Sequence, residues 1–172
     1  MAALDHITAL FEYNEWANGH VLDAASGLSQ DELERSLRAS FDSVQGNLWH
    51  VLSAQTVWLT RWRGGTTGAL PSPDPGLTLA AIREAYAHSH NELRAYLGSL
   101  NEAGLDRALS YTDTQGERQQ PILWRTMLHV VNHGTHHRAE TAMLLTSMGH
   151  APRQLDYVFY ELERAGGKPR LA

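Results

Sequence analysis

The chain has 172 residues, with 42% hydrophobic and 19% charged side chains and a formal charge of −5. That size gives about one domain, 1–172, able to bury roughly two thirds of its unfolded surface. The mild acidity, with lysine nearly absent and the arginines scattered, argues against nucleic acid as a main partner. The absence of cysteine excludes disulfides, a thiolate nucleophile and Cys-ligated zinc. No apolar run approaches the ~20 residues of a membrane span. The start, Met1 to Ile7, lacks a basic segment followed by an apolar one, so no signal peptide is read. The expectation is a soluble cytoplasmic protein.

In chain order, Leu4, Ile7, Leu10, Phe11, Trp16, Ala17 and Val21 recur at three and four, predicting a helix from about Leu4 to Ala25. Gly27 gives it a stop. Ser29 is placed to cap a short helical turn, with Glu32 three residues on completing a capping box. A long helix follows from about Ser43 to Arg63, ended by Gly64 and Gly65. Thr66 to Thr78 holds three of the six prolines and reads as a loop of about a dozen residues, a length that often borders a functional cleft. Thr78 caps a third long helix to about Leu100, with Ile82, Tyr86, Leu93, Tyr96 and Leu97 on its apolar face.

From Leu105 to Pro121 the pattern changes, and turn residues at Asp113 and Gly116 predict a small hairpin. Pro121 suits the first turn of a fourth long helix, which Gly149 ends. A short helix from about Leu155 to Arg164 and a Gly-Gly-Lys-Pro tail close the chain. Four helices of about 20 residues, each apolar along one broad face, make an all-α four-helix bundle. The long connections on both sides of the third helix leave its order open.

Four of the ten histidines fall in nine residues: His129, His133, His136 and His137. The i, i+4 spacing turns His133 and His137 to within about 40° of each other on a helical wheel. Thr126, Val130 and Leu144 share that direction, so the imidazoles point where the helix buries its apolar side. Unpaired imidazoles cost energy there, and a metal ion would satisfy their lone pairs. The structural alternative is a set of exposed or hydrogen-bonded histidines.

Two ligands from one helix make a weak site, and the third must come from elsewhere. His6, His20, His50, His88, His90 and His150 are available. His50, mid-helix, is the favoured third, because a rigid element holds a ligand well. Against it, His50 sits about 160° from the Leu48, Leu52 and Leu59 stripe, so its helix would have to be buried on two sides. A dimerising bundle would allow that.

The chain resembles the DinB/YfiT-like family of small four-helix-bundle metalloproteins, distinct from the DNA polymerase that shares the name DinB. The likeness runs through Tyr13 to Asn18, Ser40 to His50, Trp58 to Gly64, His133 to Arg138 and Leu155 to Tyr160. It implies up-down-down-up connectivity, a homodimer, and one divalent ion, nickel or zinc, on His50, His133 and His137. His129 and His136 then become neighbours of the site or groups on a dimer surface. Many relatives have Gln where this chain has Glu140, which is expected to orient an imidazole.

A site of three neutral imidazoles leaves a coordination position open, the mark of catalytic rather than structural sites. Two enzyme readings follow. A small cosubstrate's thiol is activated for transfer, towards which the resemblance tilts, or a metal hydroxide attacks a carbonyl. The competing class is a non-catalytic, stress-related metal or ligand binder. An enzyme needs a pocket with a proton-transfer group in reach, for which Glu140, Tyr111, Asn14 and Tyr13 are candidates. The five tryptophans read as core or interface. Arg61 and Arg63 could receive an anion near the loop after Gly64, or simply stabilise a helix end.

Overall fold

The structure is a computed structural model and describes residues 2–67, 70–74 and 76–167. Four long helices, α1 (Ala3–Ala25), α3 (Val44–Trp62), α4 (Leu79–Gly98) and α6 (Leu123–Ser147), form an all-α bundle. Three short helices accompany them: α2 (Gln30–Glu34), α5 (Glu102–Leu105) and α7 (Tyr157–Arg164). β1 (Tyr111–Thr112) and β2 (Arg118–Gln119) make the expected hairpin, with Tyr111 opposite Gln119. No described helix is long and apolar enough to cross a membrane.

Two apolar clusters fix the direction of every long helix. One joins the start of α1 (Ile7, Phe11) to the ends of α3 (Leu59, Trp62) and α4 (Leu93, Leu97) and the start of α6 (Leu123, Met127). The other joins the end of α1 (Val21, Leu22) to the starts of α3 (Leu48, Leu52) and α4 (Ile82, Tyr86) and the end of α6 (Leu144, Leu145). The order is therefore up-down-down-up. Each wholly buried leucine, such as Leu145, contributes roughly 1.5–3 kcal/mol through water exclusion. Hydrogen bonds tie the layers: Trp62 Nε1 donates to Thr126 Oγ1 (2.8 Å) and the Tyr86 hydroxyl to the Leu48 carbonyl (2.8 Å).

The caps read from sequence at Ser29 and Thr78 are present, and Ser43 adds a third. Ser29 Oγ accepts from the Glu32 amide while the Glu32 carboxylate accepts from the Ser29 amide. Ser43 and Thr78 cap α3 and α4 through the amides of Gly46 and Ala81. Gly149, at φ +84°, takes the left-handed turn that stops α6.

Three local expectations are corrected. Pro121 does not open α6: it stays extended, its carbonyl accepting from the Leu109 amide, while Ile122 bridges Ala108. That pairing zips the hairpin base to the helix and leaves Ile122 as the first cap. α5 has no counterpart in the sequence reading, because four residues are too few to show a period; Asn101 caps it at the Gly104 amide. The last helix begins at Tyr157 rather than Leu155, whose carbonyl instead accepts from the Tyr13 hydroxyl (2.8 Å).

A polar seam crosses the bundle core. The Arg138 guanidinium, 3% exposed, donates to the side-chain oxygens of Asn14 and Asn18 on α1 and, at 3.2 Å, to Thr135. Asn14 passes on to Gln55 (3.1 Å) and Gln55 to Ser89 (2.9 Å), so all four long helices share one network. Gly134 makes room for it: a Cβ there would lie 2.7 Å from both Arg138 Nη1 and Asn14 Oδ1. Gly134→Ala is therefore expected to lose about 1–3 kcal/mol of stability despite alanine's better helix propensity, measurable as a lower urea midpoint at unchanged slope.

Candidate metal centre

α3 and α6 run antiparallel and in close contact, which carries His50 across from His133 and His137. The three side chains each offer a ring nitrogen, and these nitrogens lie within 4.8 Å of one another. His50 Nε2 and His133 Nε2 face each other at 3.0 Å. Two lone pairs cannot point at one another at that distance, so either one ring carries a proton there or a cation lies between them.

The puzzle of His50's direction resolves in this packing. α3 is buried on more than one side, with Asn47, Ser53 and Gln55 buried as well as the leucine stripe. His50 is 9% exposed and covered within the chain, by α6 and by Phe41, without recourse to a second copy. The Phe41 ring stacks on His50 (centroids 3.5 Å apart, planes 15°) and meets His137 edge-on at 5.3 Å.

The segment before α3 is shaped to deliver that ring. Arg38 and Asp42 adopt left-handed backbone angles (φ 55° and 66°), and the Leu37 amide reaches the Asp42 carbonyl at 2.6 Å. The Ser40 amide donates to Glu140 Oε1 at 2.7 Å, pinning the segment to α6. The other carboxylate oxygen, Oε2, lies 3.5 Å from His137 Nδ1, too long for a hydrogen bond, and both atoms are buried without another partner. A carboxylate beside Nδ1 favours the tautomer with a proton there, leaving Nε2 free to bind.

Burial sets the protonation of the cluster. It holds His50 and His133 at about 4, helped in each case by the neighbouring His137 ring. His137 is lowered by burial too, with Glu140 opposing. Burial pushes the Glu140 carboxyl up, but the hydrogen bond from Ser40 and the nearby His137 ring outweigh it, and the group lies below its ordinary range. All three imidazoles are therefore neutral at pH 7.

The donor set fits a divalent transition ion. It presents three neutral nitrogens, one ring flanked by a carboxylate, and the His50–His133 pair, at 3.0 Å, is spaced like nitrogens sharing an ion at roughly 2.0–2.1 Å.

A pH effect on the metal-free protein follows. A histidine whose folded pKa is lowered binds fewer protons folded than unfolded, so its contribution to stability is present above about 6.5 and is lost as pH falls towards 4. The metal-free thermal midpoint is expected to drop across that window, and His50→Gln to flatten the drop.

Two cavities flank the cluster. One of about 330 Å³ is bounded by Phe41, Trp49, His50, Ser53 and Pro71. The other, about 170 Å³, is bounded by Trp58, Arg61, Thr114, His129 and His133. Leu70 borders both. The Thr66 to Thr78 loop thus edges the cleft as its length predicts, although Gly68, Ala69 and Pro75 lie outside the described residues. A larger cavity, about 390 Å³, lies between α1 and α4 and touches none of the three histidines.

The remaining candidates fall outside the cluster. His129 and His136 are exposed; His129 packs on Trp58 (5.3 Å) and His136 on His137 (4.8 Å). Tyr13 and Asn14 belong to the core, engaged with Leu155 and Gln55. Tyr111 meets Trp58 edge-on, with centroids 5.4 Å apart. Arg63 is paired with Glu92 (2.6 Å), which removes it as an anion receptor. Phe41 and Ser40 went unrecognised in the sequence reading, since neither has a periodic signal. Both lie in the Ser40 to His50 stretch that carries the resemblance, which gave them no role of their own.

The bundle and this cluster define a class: up-down-down-up helical bundles with three histidines gathered between two antiparallel helices. The chain belongs to the DinB family, whose pattern it matches over residues 3–169. It is similar to Protein DinB of Bacillus subtilis (strain 168), at 22% identity over 163 residues, covering 91% of this chain and 94% of that protein.

Proposed function

We propose that the protein binds one divalent transition ion, nickel or zinc, through His50, His133 and His137, and uses it to transfer a small thiol cosubstrate to an electrophile. The observation that carries this reading is the meeting of three neutral imidazoles beside two cavities rather than inside a closed core. A closed four-ligand site would suit structure or storage; a cluster of three imidazoles, two of which (His50 and His133) border cavities, suits chemistry.

An ion there supplies positive charge that lowers the pKa of a thiol to give a nucleophile near neutral pH. The chain's own residues do the rest. Glu140 fixes the His137 ring through its Nδ1 side and holds the Ser40 segment in place. Phe41 excludes water from the His50 face. Leu70 and Pro71 give the cleft an apolar edge that strengthens electrostatic interactions inside. In the transfer the thiol gives its proton to solvent, its sulfur forms a bond to the electrophilic carbon, and the carbon's leaving group departs with the displaced electron pair. With no cysteine in the chain, the sulfur arrives with the cosubstrate.

The experiment is metal analysis of untagged protein by mass spectrometry, followed by thiol consumption assays with alkylating electrophiles. About one ion per chain and metal-dependent S-alkylation support the reading. Metal without thiol turnover would point to the non-catalytic binder, and no metal after incubation with nickel or zinc would remove the basis for catalysis.

A further inference from the structure

Arg61, in the last turn of α3, is a buried cation with no carboxylate in salt-bridge contact among the described residues. It is 7% exposed, and no Asp or Glu oxygen of the described residues lies within 4.0 Å of its guanidinium. Its Nε donates to Thr67 Oγ1 at 3.1 Å. Its Cζ sits 4.3 Å from the centre of the Tyr111 ring and 4.9 Å from that of Trp58. Asp113 is the acidic group of the adjacent hairpin, but its oxygens are taken by the amides of Gln115 and Glu117 and by the Gln119 side chain, each at 2.9 Å.

The Asp113 carboxyl, held low first by its own hydrogen bonds and also by the Arg61 charge, acts on the guanidinium only from beyond 4.0 Å. A ligand's anion in direct contact would complete the pair. Two aromatic faces orient the guanidinium without neutralising it. The cavity that Arg61 borders is the one that reaches His133, with the apolar walls of Ala54 and Val57 between them. One small space therefore has a fixed cation on its boundary and the histidine cluster on another part of the same boundary.

We propose that Arg61 is the anion-recognition residue of this cleft, and that the ligand reaching the histidines carries a carboxylate-class group a few bonds from its reacting atom. The inference rests on the thiol-transfer reading for what stands at the histidine end, and on Arg61 alone for the charge at the other. A guanidinium suits such a group because its planar fork can donate two parallel hydrogen bonds. Its role is specificity: a charged thiol is selected over a neutral one of the same shape.

The test uses three probes on the metal-free wild-type chain: 3-mercaptopropionate, 3-mercaptopropionamide and propionate, followed by NMR shifts of the Trp58 indole and Arg61 Nε–H. The expected result is acid binding roughly tenfold or more tighter than the amide, with propionate shifting the same resonances. Arg61→Met should bring the acid down to the amide's affinity and leave the amide unchanged, while Arg61→Lys keeps part of the preference. Equal affinities of acid and amide for the wild type, or no binding of either, overturn the proposal without need of a variant. So does a loss in Arg61→Met that is the same for both thiols. The thiol reading fails separately: nickel-loaded protein would then show no thiolate-to-nickel charge-transfer band with either thiol, whatever the acid-to-amide ratio.

Discussion

His133→Ala is expected to abolish tight metal binding, while His136→Ala leaves it nearly intact, although the two residues are three apart on one helix. His133 Nε2 faces His50 Nε2 at 3.0 Å, whereas His136 is exposed, with its ring against that of His137. Loss of a group that merely orients a ligand costs ~10–100-fold in affinity, so loss of a ligand should exceed about a hundredfold. Glu140→Ala belongs in the ~10–100-fold range, because it frees the His137 ring and releases Ser40. Competition with a chelator of known affinity ranks the four proteins. Equal loss in the His136 and His133 variants would sink the assignment.

Arg138→Ala should cost about 3–5 kcal/mol, the largest stability loss of any side chain outside the apolar clusters. The guanidinium supplies donors to Asn14 and Asn18 at the bundle centre, where water does not replace them. Removing it leaves two buried carbonyl oxygens without partners and a cavity beside Gly134. Urea unfolding gives the number. A loss below about 1 kcal/mol would mean that the seam is solvated and the network incidental. Metal affinity separates this effect from a site defect: after correction for folded fraction, Arg138→Ala should retain it, since Arg138 touches none of the three imidazoles among its hydrogen-bond partners.

Much of the bundle was legible because its elements are long and periodic. The stripe on α4 and the caps at Ser29 and Thr78 are patterns that local physics enforces whatever surrounds them. The pairing of His133 with His137 was legible for the same reason. His50 was not, from spacing alone, because a helix buried on several sides has no single apolar face, and its polar buried residues look like surface. The resemblance, not the periodicity, singled it out. The groups that complete the cleft are harder still. Phe41 reaches His50 through a segment with two left-handed residues, and Arg61 reaches the cavity by its length and its aromatic neighbours. Pro121 misled because a proline's missing amide suits a helix start and a strand edge equally, and here the hairpin took it.

The chain order of the bundle also governs when the site can exist. Asn14 meets Arg138 across 124 residues of sequence and His50 meets His133 across 83. Contacts so distant form late, after the entropy of closing long loops has been overcome. During synthesis α1, α3 and α4 must wait for α6 before either the core seam or the three-histidine cluster can assemble. An ion gripped by all three imidazoles would therefore mark a molecule whose folding is finished.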